Sequence, residues 1–274
     1  MTDRARRAMT DHARRGTLYV VPNLLGAVSP DDVLPRRTLE VARGLRDWVV
    51  ETPKAARAFL ATLGMPIAIA ELAITPLADL VDGPALTAAL DPARHGRAIG
   101  LLSDAGCPGV ADPGAALVAA AHAAKMRVVP LVGPSAILLA LMAAGLDGQR
   151  FAFHGYLPVS ASARAAALRE LEARSRKRHE TQVFIETPYR NAAMIGALAQ
   201  ALAPATIVCV AADLTLPGEE IVRADAASWR RADARRFDRR PAMFLLLASD
   251  RAGRAGASAR RARGARACTD QLSM

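Results

Sequence analysis

Apolar positions along this chain fall into short dense runs cut by turn-formers, and the runs alternate between two periods. "GTLYVV" at residues 16–21 reads as a β-strand broken at once by "NLLG". From Pro35, the spacing of Leu39, Val41, Ala42 and Leu45 suits a helix, and "DWVVE" then reads as a second strand. Ala55 to Leu63 is helical, with Gly64 where a C-terminal cap belongs. Residues 66–98 carry "DGP" and "DP" breaks and are expected to be loop-rich. Beyond them come a strand at "AIGLLSD", a helix at "PGAALVAAAHAAKM", a strand at "RVVPLV" and a helix at "PSAILLALMAAG". This alternation predicts a mostly parallel sheet covered by helices.

After Gly145 the rhythm changes. "RFAFHGYLP" reads as a strand and turn, and "SARAAALRELEARS" as a helix capped by Ser160 or Ser162. "TQVFIETP" is a strand, "NAAMIGALAQAL" a helix and "TIVCVAADLT" a strand; "EEIVRAD" and "PAMFLLLA" add late strands suited to a mixed sheet. The expected fold class is therefore α/β in two domains. The first, 16–133, has a mostly parallel sheet with flanking helices, and the second, 134–248, a mixed sheet. No repeat of fixed period is visible.

Charge refines this picture once it is located. The formal net charge is +10, but residues 1–15 and 249–274 contribute +3 and +4 of it. About +3 remains for the body, ordinary for a soluble domain. The two ends read as disordered basic arms, either solvated or touching RNA. "RSRKRH" at 174–179 reads as a solvated helix end. No run approaches a membrane span, and the amino end lacks the apolar core of a secretory signal. Three cysteines without CxxC spacing suggest neither disulfides nor zinc, and the histidines show no ligand spacing, so no metal is expected and the expected location is cytoplasmic.

Chemistry is concentrated in "LLSDAGCPGVADPG" at 101–114, an apolar strand that stops abruptly in a loop of Gly, Pro and two aspartates. In an open parallel sheet, ligands sit beyond the carboxyl ends of strands. Small side chains there let a flat ring approach the main chain, while Pro108 and Pro113 reduce the entropy lost on binding. The loop is neither a Walker A loop nor a GxGxxG fingerprint. Asp104 remains open to a plain turn or capping role, and Glu186 to that of a surface carboxylate. Cys107 has no basic neighbour in sequence that would make it a nucleophile.

Those residues, with "RTLEVARGLRDWVVE", "RVVPLVGPSA", "FHGYLP", "VFIETPYR" and "VAADLT", occur in the order and spacing of a known family. Across residues 16–248 the chain resembles the tetrapyrrole methylase superfamily, the class III S-adenosylmethionine methyltransferases. Within it, the chain looks most like the ribosomal RNA small subunit methyltransferase I group. The resemblance implies two α/β domains with a cofactor cleft between them, S-adenosylmethionine as the cofactor, and a homodimer. It places Ser103, Asp104, Ala105, Gly106 and Pro108 along the cofactor, with Ser135 and Ala136 at the domain junction. Tyr156, Leu157, Glu186, Thr187, Ala212 and Asp213 would come from the second domain.

The chain also departs from that branch. "PNLLGA" stands for "ATPIGN", so Asn23 and Leu24 occupy the Thr and Pro positions, and "ETPK" stands for "EDTR", keeping Glu51 and placing Lys54 at the Arg position. Ala212 to Leu216 replaces "RELTK", and Val159 and Ser160 stand where basic residues belong, although Arg164 remains. These changes remove groups that would grip a phosphate backbone. The implied cofactor side is retained and the acceptor side altered. Glu51, Lys54 and Asp213 are the candidate catalytic groups if a ribose hydroxyl is the acceptor, with 16S rRNA or the small ribosomal subunit as partner. A tetrapyrrole or other small acceptor, or non-catalytic binding of S-adenosylmethionine, are the alternatives.

Overall fold

The structure is a computed structural model that describes residues 16–80 and 83–248. The arms expected to be disordered, 1–15 and 249–274, lie outside the described residues. The chain forms two compact units. One runs to Leu139 and includes Thr215–Pro217; the other comprises Ala140–Leu214 and the residues from Gly218 onward.

The first unit contains, in chain order, β1 (Thr17–Val21), α1 (Pro30–Val33), α2 (Arg36–Gly44), β2 (Asp47–Val50), α3 (Pro53–Thr62), β3 (Ala73–Pro76), α4 (Gly83–Ala89), α5 (Asp91–Arg94), β4 (Ile99–Leu102), α6 (Ala115–Ala123) and β5 (Arg127–Pro130). Its five strands form one sheet in the order β3-β2-β4-β1-β5, every pair parallel. The alternation of side chains along each strand divides the core. Tyr19, Val21, Trp48, Val50 and Leu102 pack with Leu39 of α2 and Leu60 of α3. Leu18, Val49, Ile99 and Leu101 pack with Ala93 of α5 and Leu117 of α6. Both faces are thus covered, which is why β4 reads as an unbroken apolar run and β2 as one after Asp47, and both are buried at all four positions.

The loop-rich reading of 66–98 is corrected here: the segment holds an edge strand and two helices. β3 is only four residues long and ends in Pro76, a proline that an edge strand tolerates, so its periodicity is too short to register. The prolines in the "DGP" and "DP" breaks begin helices: Pro84 is the second residue of α4, and Pro92 lies in the first turn of α5. Gly64, at φ +66°, takes the left-handed position just past α3.

After α7 (Ala136–Ala144), the second unit contains β6 (Phe151–Tyr156), α8 (Ala161–Arg178), β7 (Thr181–Glu186), α9 (Asn191–Ala201), β8 (Ile207–Ala212), β9 (Glu220–Asp225), α10 (Ala226–Trp229) and β10 (Ala242–Leu247). Its sheet order is β6-β7-β10-β8-β9. β6 and β7 are parallel and the remaining pairs antiparallel, a mixed sheet as the late strands implied. Phe184 and Phe244 stack at its centre, 5.6 Å between ring centroids, beside Leu168, Met194 and Leu198. Ser160 is the cap of α8, its Oγ accepting from Ala163 N at 3.3 Å. The helix ends in Arg176, Lys177 and Arg178 with His179 left-handed, the basic helix end expected from "RSRKRH". Among the described residues no helix is long and apolar enough to cross a membrane.

Close packing of the first sheet gives a direct test. Gly100 lies opposite Trp48 in the β2/β4 register, and a Cβ on it would fall 2.5 Å from the indole ring. Gly100→Ala is expected to destabilise the first unit by about 1–3 kcal/mol through overpacking. Chemical denaturation checks this, and combination with Trp48→Leu should cost less than the sum of the two single changes.

Candidate active site

The sheet order creates a particular place at the carboxyl edge of the first unit. β1 and β4 are neighbours, but the chain leaves β1 towards β2 and leaves β4 towards β5, in opposite directions across the sheet. Such a reversal opens a crevice between two strand ends, where open α/β sheets hold ligands. The residues that follow the two strands are tied together across it. Asn23 Nδ2 donates to the carbonyls of Ser103 and Asp104, both at 3.0 Å, and Asn23 N donates to Gly106 O at 2.8 Å. Ser103 Oγ donates to Ala105 O at 3.0 Å, closing a tight turn straight off the strand.

The loop beyond depends on left-handed backbone. Gly106 and Gly109 have φ of +63° and +78°, values that a side chain would strain. Cys107 Sγ donates to Pro134 O at 3.4 Å, linking this loop to the one that carries Ser135 and Ala136. Ser135 O accepts from Leu139 N at 2.9 Å, in the first turn of α7. Gly106 and Pro108 are buried, whereas Asp104 and Ala105 are exposed.

The end of β2 completes the edge. Glu51 Oε2 accepts from Asp104 N at 2.9 Å, while the Asp104 carboxylate accepts from Thr52 N at 3.1 Å and Thr52 Oγ1 at 2.7 Å. This reciprocal clasp brings Glu51 and Asp104 together. Lys54, the second residue of α3, is exposed and makes no ion pair among the described residues. Asp112 joins the two acids: burial pushes its carboxyl above the usual carboxylate value, and the charges of Glu51 and Asp104 add to the rise against a hydrogen bond from Ser103. Burial, then the charge of Asp112, also raises the Cys107 thiol, which keeps it protonated and unsuited to nucleophilic attack.

In the second unit, the other six expected residues share one edge. β6, β7 and β8 run in the same direction, and Ala242 at the start of β10 pairs with both Glu186 and Ala212. Tyr156 and Leu157, Glu186 and Thr187, and Ala212 and Asp213 therefore end their strands at the same edge, with the start of β10 between β7 and β8. Tyr156 is exposed and Leu157 buried. Glu186 is 4% exposed, so it is no surface carboxylate; its Oε1 accepts from Thr187 N at 2.6 Å, Arg190 Nε at 2.9 Å and Arg190 Nη2. The Asp213 carboxylate accepts from Arg240 Nε at 2.7 Å, and its backbone is left-handed at φ +52°. Both carboxylates are thus held by arginines.

Sequence reasoning gives no role to Asn23, Thr52 or Asp112, which build the first edge. Asp112 could have been found as the second aspartate of a loop rich in Gly and Pro. Asn23 and Thr52 stand at positions of departure, and their use emerges only once the strand order is known. Among the described residues, no group of three or more His, Cys, Asp or Glu side chains is arranged to hold a metal ion.

Comparison with known proteins adds an independent line. Residues 51–229 match the family Tetrapyrrole (Corrin/Porphyrin) Methylases. Over 241 residues the chain is 31% identical to the Ribosomal RNA small subunit methyltransferase I of Escherichia coli O157:H7, covering 87% of this chain and 79% of that protein. Its identity to the protein of the same name from Mycobacterium tuberculosis (strain ATCC 25618 / H37Rv) is 39% over 150 residues, or 55% of this chain and 51% of the relative. The chain thus spans about half the length of the mycobacterial relatives it matches. The solved structure of the cobalt precorrin-4 methyltransferase CbiF is similar in fold, with a TM-score of 0.55 at 16% identity, covering 84% of this chain and 94% of that one.

The raised carboxyl of Asp112 has a pH consequence. A carboxyl raised on folding adds stability below its unfolded value, about 3.9, and that contribution is lost as pH rises through the folded value. Asp112→Asn is therefore expected to unfold at a higher temperature than the native chain at about pH 7, with the gap narrowing as the pH falls towards about 4. Thermal unfolding of both proteins across that range measures it.

Proposed function

We propose, from the premise that this chain belongs to the Tetrapyrrole (Corrin/Porphyrin) Methylases, that it is an S-adenosylmethionine-dependent methyltransferase acting on a ribose 2′-hydroxyl of small-subunit ribosomal RNA. The observation that carries this reading is the β4 exit, where Asp104, Glu51 and Asp112 converge beside exposed main chain at Ala105. The donor set fits the cofactor: a cluster of carboxylates favours a cationic sulfur, and small residues leave the backbone open to a planar base. When bound, S-adenosylmethionine supplies a methyl group already activated on a positive sulfur.

The chain's own contribution is then mostly positioning. Gly106 turns the backbone outward, Asn23 fixes the carbonyls of Ser103 and Asp104, and Pro108 and Pro113 limit the loop's freedom. Glu51 uses Oε2 to hold Asp104 N; among the described residues its other oxygen has no hydrogen-bond partner and is free to take a proton from an attacking hydroxyl. Lys54, exposed nearby in sequence, is the cation of this edge. Asp213 is committed to Arg240 and is assigned a structural part. The names of the relatives support RNA as the acceptor. We also infer a homodimer through α7, which exposes Leu138 and Met142 one turn apart; sedimentation of the full chain should show twice the monomer mass.

Incubation of labelled S-adenosylmethionine with small ribosomal subunits from a strain lacking the protein should place label on a ribose of 16S rRNA. Bound cofactor without labelled RNA would instead favour a tetrapyrrole acceptor or a non-catalytic binder. By calorimetry, Asp104→Asn is expected to weaken binding of the cationic cofactor about tenfold, the scale of one charge-assisted contact, and of neutral S-adenosylhomocysteine by less. Equal losses for the two would remove the electrostatic role given to this edge.

A further inference from the structure

Most buried or half-buried charge among the described residues of the second unit is paired. Glu186 is held by Arg190, Glu172 by Arg176, and Arg240 by Asp213 and Glu220. Arg164, in the first turn of α8, departs from this. It is 9% exposed, its Nη1 donates to Val159 O at 2.9 Å, and its buried Nε has no acceptor. Among the described residues no carboxylate lies within ion-pairing distance of it. A cation so deeply buried without a counter-charge is costly and calls for an anion.

Arg164 lines a groove of about 440 Å³ between α8 and α9. The rest of the lining sorts by chemistry. Ala161, Ala165, Ala197 and Gly196 make a smooth apolar wall, while Arg169 and Gln200 bring a second cation and an amide. Ala161 is also the first residue of α8, where the helix's free N–H groups favour negative charge. The groove is larger than inorganic phosphate alone requires and falls within the roughly 300–1,000 Å³ range of small-ligand sites.

We propose that this groove binds a nucleotide through its phosphate. Arg164 and Arg169 would hold the phosphate, the alanine wall would take the flat base, and Gln200 would read a base edge. The proposal does not depend on the methyl-transfer reading, because none of these residues belongs to the β4 exit.

Gly196 supplies the test. A Cβ on it meets nothing within 4 Å, so Gly196→Glu puts a carboxylate towards open space without a backbone clash. With the full chain, binding of AMP, a fluorescent single-stranded oligoribonucleotide and inorganic phosphate is measured at fixed salt for the native protein, Gly196→Glu, Arg169→Ala and Arg164→Lys. The native chain should bind AMP or the oligoribonucleotide, with each variant weaker by about tenfold or more. Unchanged thermal unfolding and unchanged S-adenosylmethionine affinity in Gly196→Glu would separate this loss from misfolding and from the methyl-donor site. Loss of AMP binding alone identifies a free nucleotide as occupant, and loss of both identifies a nucleotide within a strand. Equal binding by native chain and Gly196→Glu, or native affinity for phosphate but for neither nucleotide ligand, overturns the proposal.

Discussion

A parallel sheet leaves the carbonyls at each strand exit without ladder partners, and at β4 the chain must also turn sharply to expose its backbone. Asn23 resolves both demands. Its side-chain amide takes two carbonyls beyond β4, and its own N–H takes a third, so three acceptors are satisfied by one residue placed at the end of the neighbouring strand. The turn can then remain open at Ala105. Substituting an apolar residue here would leave two carbonyls of the turn in search of water, at the place where the loop must be rigid to bind anything. The expected cofactor edge therefore depends on a residue belonging to a different strand, brought near only by the order β4-β1.

This explains what was legible in the sequence. The βα rhythm, the short apolar strands of the first sheet and the mixed late strands follow from periodicity, because side-chain alternation and helix spacing are local properties. The loop at 101–114 announces itself through glycines that the structure uses at positive φ. β3 escapes because four half-exposed residues carry too little pattern. Asn23 and Thr52 escape for another reason. Judged by what they replace, they are losses; judged by what they touch, Asn23 anchors the β4 exit and Thr52 supplies both donors to the Asp104 carboxylate. A non-local hydrogen bond leaves no periodic trace.

The second unit treats its acids differently. Glu186 ends β7 and Asp213 follows β8, the strands that flank β10, and each is matched by an arginine: Arg190 gives two N–H groups to one oxygen of Glu186, and Arg240 gives one to Asp213. Arg240 also lies against the ring of Phe237, 5.7 Å from its centroid, so its stem and its charge are both used in packing. Carboxylates fixed in this way set the path of the chain after β7 and β8; they do not offer a free base. Their arginine partners distinguish them from Glu51, which among the described residues keeps one oxygen without a hydrogen-bond partner.

Charge then constrains what each unit can bind. An edge carrying Glu51, Asp104 and Asp112 attracts a cation and repels phosphate; burial is the main reason the Asp112 carboxyl is raised, and the charges of Glu51 and Asp104 add to it. A methyl donor on positive sulfur suits such an edge. A phosphate-bearing acceptor does not, and Lys54 alone offsets little of three acidic groups so close together. Any polyanionic acceptor must therefore be gripped by cations elsewhere in the protein, and among the described residues of the second unit Arg164 is a buried cation with no carboxylate at ion-pairing distance. Within each unit the charge selects by sign: an edge of carboxylates favours a cationic ligand, and a groove lined by Arg164 and Arg169 favours an anionic one.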